Sequence, residues 1–103
     1  MTKFFIKWLI DSAKIPDTPQ ETVKLMLPLL EMIKADLSAG RYTDWGQFSN
    51  GREGYAISEL SEAELFATLL TRIPFVAFEV FPILNVDQSM EAAKKAVAAM
   101  QGK

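Results

Sequence analysis

Residues 3–11 alternate strictly. Phe4, Ile6, Trp8 and Ile10 make one wholly apolar face, while Phe5, Lys7, Leu9 and Asp11 make a mixed one. A period of two carried by aromatic and branched side chains is the signature of a β-strand with one buried face. The segments that follow therefore have to supply both strand partners and a layer that covers the apolar side.

Ile15-Pro16-Asp17 breaks this strand, and Thr18-Pro19-Gln20-Glu21 opens a helix. Thr18 is a good N-cap, Pro19 suits the first helical position and Glu21 completes a capping box. Val23, Met26, Leu27, Leu30, Ile33 and Leu37 follow at helical spacing, and Gly40 stops the run. Pro28 lies inside it, and an interior proline costs about 3 kcal/mol, so a kink or break is expected there. Arg41 to Phe48 reads as a second strand, weakened by Gly46. Asn50-Gly51 marks a turn, and Tyr55 to Leu60 reads as a third strand. Ser61-Glu62-Ala63-Glu64 is another capping box, which opens a helix with Leu65, Phe66, Leu69 and Leu70 that Pro74 ends. Phe75 to Leu84 is the most apolar strand, and Pro82 assigns it to an edge or a strand end, because proline cannot donate to a ladder. Asp87 is the expected cap of a last helix carrying Met90, Ala93, Val97 and Met100 on one face, with Lys94 and Lys95 off it.

The order strand, helix, strand, strand, helix, strand predicts a single α+β domain over residues 1–103. It is a ferredoxin-like βαββαβ unit with a four-stranded antiparallel sheet, both helices on one face, and residues 85–103 as a C-terminal helical extension. The second face of such a sheet holds Phe5 and Leu9 from the first strand and Phe75, Ala77 and Phe81 from the last, which is too apolar for water. A second copy packed sheet to sheet about a two-fold axis would cover it. A monomer covered by its own C-terminal helix is the alternative.

Composition narrows the chemistry. The 103 residues contain no His and no Cys. That excludes Ser-His-Asp catalysis, thiolate nucleophiles, disulfides and the usual transition-metal ligand sets, and it leaves acid–base work to Asp, Glu, Lys or Tyr. The net charge of −2 and a pI near 5.1 argue against nucleic acid, since no basic surplus is present to neutralise phosphates. The apolar start is interrupted by Lys7 and Asp11 and lacks a cleavage site, so it reads as a strand and not a leader. No segment approaches the length of a membrane span. A soluble, cytoplasmic protein without metal or cofactor is the expectation.

Gly40-Arg41-Tyr42-Thr43-Asp44-Trp45, Gly54-Tyr55-Ala56-Ile57, Ala63-Glu64-Leu65, Ile73-Pro74-Phe75 and Phe78-Glu79-Val80-Phe81-Pro82-Ile83-Leu84 together resemble the muconolactone isomerase branch of the dimeric α+β barrels. The likeness extends in order over residues 3–84. It implies a ferredoxin-like protomer, sheets of two protomers packed as a barrel, oligomers built from such dimers, and proton transfer on a small lactone as the family chemistry. The helix at residues 85–103 is an addition to that pattern.

Lys7 and Glu79 are charges on otherwise apolar strands, and each points away from the wholly apolar side. If the first and last strands are neighbours, the two sit opposite each other between packed sheets, where a buried lysine or carboxylate can serve as base or acid. Their structural reading is a partly buried ion pair that specifies register or pairing. Asp44, in phase with Tyr42 and Phe48, could face the cavity or the solvent, while Trp45 and Tyr55 could line a pocket for a flat ligand, or simply pack. Glu59 shares the phase of Tyr55 and Ile57, and joins Lys7 and Glu79 only if that face looks inward. Two functions follow: a dimer that binds or isomerises a small organic molecule in an inter-sheet cavity, or a non-catalytic interaction protein whose sheet face is only an oligomer interface. Enzyme status stays open between them.

Overall fold

The computed structural model describes residues 3–11, 13, 15–73 and 76–102. Its elements run β1 (Lys3–Ile10), α1 (Pro19–Ser38), β2 (Asp44–Gln47), β3 (Glu53–Ser58), α2 (Glu62–Leu70), β4 (Val76–Ile83) and α3 (Val86–Gln101). The strands form one antiparallel sheet in the order β2-β3-β1-β4. An α+β chain with this sheet and element order is compatible with a ferredoxin-like fold.

The alternation of β1 becomes two faces of the sheet. Phe4, Ile6 and Trp8 are buried, and Phe4 and Ile6 join Tyr42, Ala56 and the α2 residues Leu65 and Leu69 in the core. Ile33 of α1 packs against the same cluster, so both helices lie on this side. Thr18 accepts from the Glu21 N–H at 3.2 Å, and Ser61 and Glu64 form the reciprocal capping box. Pro82 lies within β4, and β4 is an edge strand, which is where a residue without an N–H is tolerated.

Several boundaries differ from expectation. Helix α1 runs unbroken through Pro28. Strand β2 begins only at Asp44, because Tyr42 turns into the core before regular pairing starts. Strand β3 starts two residues early, at Glu53, because Asn50 Oδ1 accepts from the N–H groups of Arg52 (2.9 Å) and Glu53 (3.2 Å) and Gly51 takes φ +75°, closing a tighter loop. It also ends early, at Ser58, whose buried hydroxyl donates to the Arg41 carbonyl at 2.7 Å. Glu59 is therefore beyond the strand. The α3 cap is Asn85, not Asp87: Asn85 Oδ1 accepts from the Gln88 N–H at 2.8 Å and Gln88 returns the bond, so Asp87 falls in the first turn. The readings made for Pro74 and Phe75 lie outside the described residues.

Candidate functional site

Sheet pairing sorts the candidate residues. Lys7 is opposite Glu79 on one side and Tyr55 on the other, and Asp44 is opposite Ile57. Alternation then puts Lys7, Glu79, Asp44 and Tyr55 together on the sheet face away from α1 and α2. Two rows cross that open face. In the aromatic one, Phe5 stacks on Tyr55 with ring centroids 6.3 Å apart and meets Phe81 at 6.4 Å. In the charged one, Lys7 lies between Glu79, its register partner, and Glu53, whose carboxylate is 3.4 Å from Lys7 Nζ. The ion pair of Lys7 is thus with diagonal Glu53, a residue the sequence reading passed over. Tyr55 donates its hydroxyl to Asp44 at 2.9 Å, and this bond is the first cause of an upward shift of the Tyr55 pKa. Within one protomer Asp44 and Glu79 are exposed and Lys7 and Tyr55 half-buried.

Trp45 and Glu59 do not join them. Trp45 pairs with Ala56 on the helix-facing side and stacks on Trp8 at 5.3 Å, so it and Tyr55 stand on opposite faces and cannot wall one space within a protomer. The phase slip between Tyr42 and the late start of β2 is the reason. Glu59 is exposed past the end of β3, about four strand residues, or roughly 13 Å, from the row that holds Lys7.

The enclosed space lies on the other side of the sheet. The inward residues Met26, Leu29, Leu30 and Ile33 of α1 are only half-buried, because the helix stands off the sheet. Between them and Ile6, Trp8, Trp45 and Phe78 is a cleft of ≈ 70 Å³. A smaller recess of ≈ 40 Å³ continues it along Ile10, Met26, Leu29 and Val76 towards Pro16. Trp8 is held flat by its indole N–H, which donates to the Tyr55 carbonyl at 3.3 Å. Such a slot takes a flat or slender apolar group.

The polar groups at this cleft are few. Tyr42, Gln47 and Arg72 complete its lining. Gln47 is occupied, donating to the Gly51 carbonyl at 3.3 Å. Arg72 lies just beyond α2, with its side chain only 9% exposed, and it donates to Asp36 Oδ2 at 2.7 Å and to the Thr71 hydroxyl. Its Nε–H is buried and meets no acceptor among the described residues. Burial pushes the Tyr42 phenol up to about 12. The Asp36 carboxylate adds to the rise, and the Arg72 and Arg41 guanidiniums oppose it. Tyr42 is therefore a neutral hydroxyl across the physiological range, and a ligand at this end meets hydrogen-bond donors.

Asp36 and Arg72 are the site residues that sequence reasoning missed. Asp36 follows Ile33 by three positions and so shares the inward phase of α1, and a carboxylate on an apolar stripe was the available signal. Arg72 carried none, since it follows the helical pattern of α2. Among the described residues no group of three or more His, Cys, Asp or Glu could hold a metal, and no helix is long and apolar enough to cross a membrane.

In comparisons with known proteins, no protein-family model matches this chain, and no curated protein matches it in sequence.

Proposed function

We propose that this protein binds a small, largely apolar molecule with a carboxylate or carbonyl acceptor in the cleft between α1 and the sheet, and that it does so as a dimer joined through the open sheet faces. The observation that carries the reading is an apolar slot, floored by Trp8 and Trp45 and lined at one end by Arg72, whose buried Nε–H meets no acceptor among the described residues. A buried donor without an acceptor costs about 1–3 kcal/mol, so a ligand oxygen that accepts from it recovers that penalty on binding. The resemblance to the muconolactone isomerase branch supports the same ligand class, since its family substrate is a small lactone, and it supports the ferredoxin-like protomer and the sheet-to-sheet barrel.

In this reading Lys7, Glu79, Asp44 and Tyr55 belong to the dimer interface, where Lys7 with Glu53 and Glu79 sets the pairing of the two sheets. The apolar residues Phe5, Leu9, Ile57 and Phe81 on the same face supply the area that a partner covers.

The two tryptophans of the chain both line the cleft, so intrinsic fluorescence reports its occupancy directly. Titration with cyclohexanecarboxylate or benzoate is expected to change the emission saturably, and neutral cyclohexanol to do so more weakly. Arg72→Lys keeps a cation beside Asp36 but removes the Nε–H donor, and should weaken carboxylate binding by about 10–100-fold, the range of a charge-assisted bond. Emission that stays constant up to millimolar probe, or equal affinity in Arg72→Lys, would overturn the assignment.

A further inference from the structure

Helix α3 leaves the body of the protein. None of its residues is buried, and only Gln88 is partly covered. The protein extends 64 × 25 × 21 Å with a radius of gyration of 17.9 Å, where a compact domain of this length has about 13 Å. Its surface shows the same excess: 7282 Å² is exposed by a chain of 11.5 kDa, against about 5,800 Å² for a compact monomer of that mass. The surplus of roughly 1,500 Å² is nearly twice the 800 Å² or so that one partner contributes to a standard interface. The open sheet face offers room for one such interface, and α3 for another.

The pattern on α3 narrows what covers it. Val86, Met90, Ala93, Val97 and Met100 recur at steps of four, three, four and three, the spacing of a coiled-coil seam. The large residues of this stripe are 47% to 72% exposed. One flank of the seam carries only Ser89 and Ala96, short and uncharged, which lets a second helix approach closely. A membrane surface is a poor match: the helix has no Trp, Phe or Leu, and Asp87 and Glu91 cancel Lys94 and Lys95. An isolated helix of this length is marginal in water, so its stripe needs a partner.

We propose that α3 is an oligomerisation arm that pairs with α3 of a second copy of this chain along the stripe from Val86 to Met100. A seam at coiled-coil spacing matches a copy of itself, and a two-fold axis through its middle brings the two Ala93 positions together whether the helices run parallel or antiparallel. The arm stands independently of the cleft and of the open sheet face, because every residue of the seam lies on α3.

The chain has no cysteine, so a single introduced one reports contact without background. Ala93→Cys in the full chain is expected to form a disulfide-linked dimer under mild oxidation at least about tenfold faster than Ala92→Cys, which faces away from the seam, because pairing raises the effective thiol concentration to the millimolar range. Equal rates for the two variants would overturn the proposal and point to a different covering surface, this chain's own sheet or another protein. Val97→Glu should lower the light-scattering mass relative to wild type at the same concentration while leaving the melting transition in place, since Val97 is exposed in the protomer. An unchanged mass would count against the arm, as would Val97-dependent binding of the full chain to anionic phospholipid vesicles.

Discussion

Asp36 is 4% exposed, and a buried carboxylate persists only where its partners offset the cost of leaving water. Here two guanidiniums do so unequally. Arg41 is 3.2 Å away but its side chain is 48% exposed, so water screens most of its contribution. Arg72 is 2.7 Å away and nearly as buried as Asp36. Asp36→Asn therefore leaves the Arg72 cation enclosed, its charge uncompensated and its Nε without an acceptor among the described residues. The expected loss is about 3–5 kcal/mol, a large share of the 5–15 kcal/mol typical of a small domain. The double variant Asp36→Asn with Arg72→Met should regain most of it, because no charge then stays buried. Urea denaturation of the single and double variants checks this. A single variant within about 0.5 kcal/mol of wild type would mean that solvent, not Asp36, stabilises Arg72.

At the scale of elements, the sheet is shaped by two glycines whose roles differ from their reading in sequence. Gly46 looks like an interruption of β2, yet it is opposite Tyr55, and a Cβ there would enter the Tyr55 ring. The missing side chain lets Tyr55 lie flat across β2 and reach Asp44. A Cβ on Gly54 would strike both the Gly46 carbonyl oxygen and the Trp8 indole that floors the cleft. Backbone cannot yield as a side-chain tip can, so Gly54→Ala should destabilise by about 1–3 kcal/mol or more and tilt Trp8. The change would appear as a lower melting temperature together with a shift in tryptophan emission. An unaltered spectrum would show that Trp8 does not rest on Gly54. The order of elements was legible because period and caps agree: Thr18 caps α1 although Glu21 does not return the bond of the expected box, Ser61 and Glu64 close theirs, and β1 keeps its strict alternation. The same alternation put Lys7 opposite Glu79 correctly once strand order was granted. Trp45 was not legible, because one irregular step after Tyr42 reverses the face of everything that follows. Nor was the cleft, since it depends on how far α1 stands from the sheet, and that spacing arises from packing between segments distant in sequence.

At the scale of the whole molecule, the open sheet face is the broad surface available to a partner. Phe81 is 47% exposed on edge strand β4 and lies beside Phe5, whose ring continues to Tyr55. An aromatic row across three strands would leave apolar surface in water in a lone protomer, whereas two copies related by a dyad cover it reciprocally. Light scattering of the wild type at micromolar concentration is therefore expected to give at least twice the 11.5 kDa of one chain. Phe81→Glu tests the face without touching the core, because Phe81 projects away from the helices. A carboxylate forced into a dry interface without a partner costs several kcal/mol, enough to weaken association by about a hundredfold or more. The variant should thus fold with an unchanged circular dichroism spectrum and show a lower mass than wild type at the same concentration. Equal mass would remove the open face from the assembly and leave α3 as its remaining contact. Cleft occupancy measured in the same variant separates binding from assembly, since Trp8 and Trp45 lie on the opposite side of the sheet.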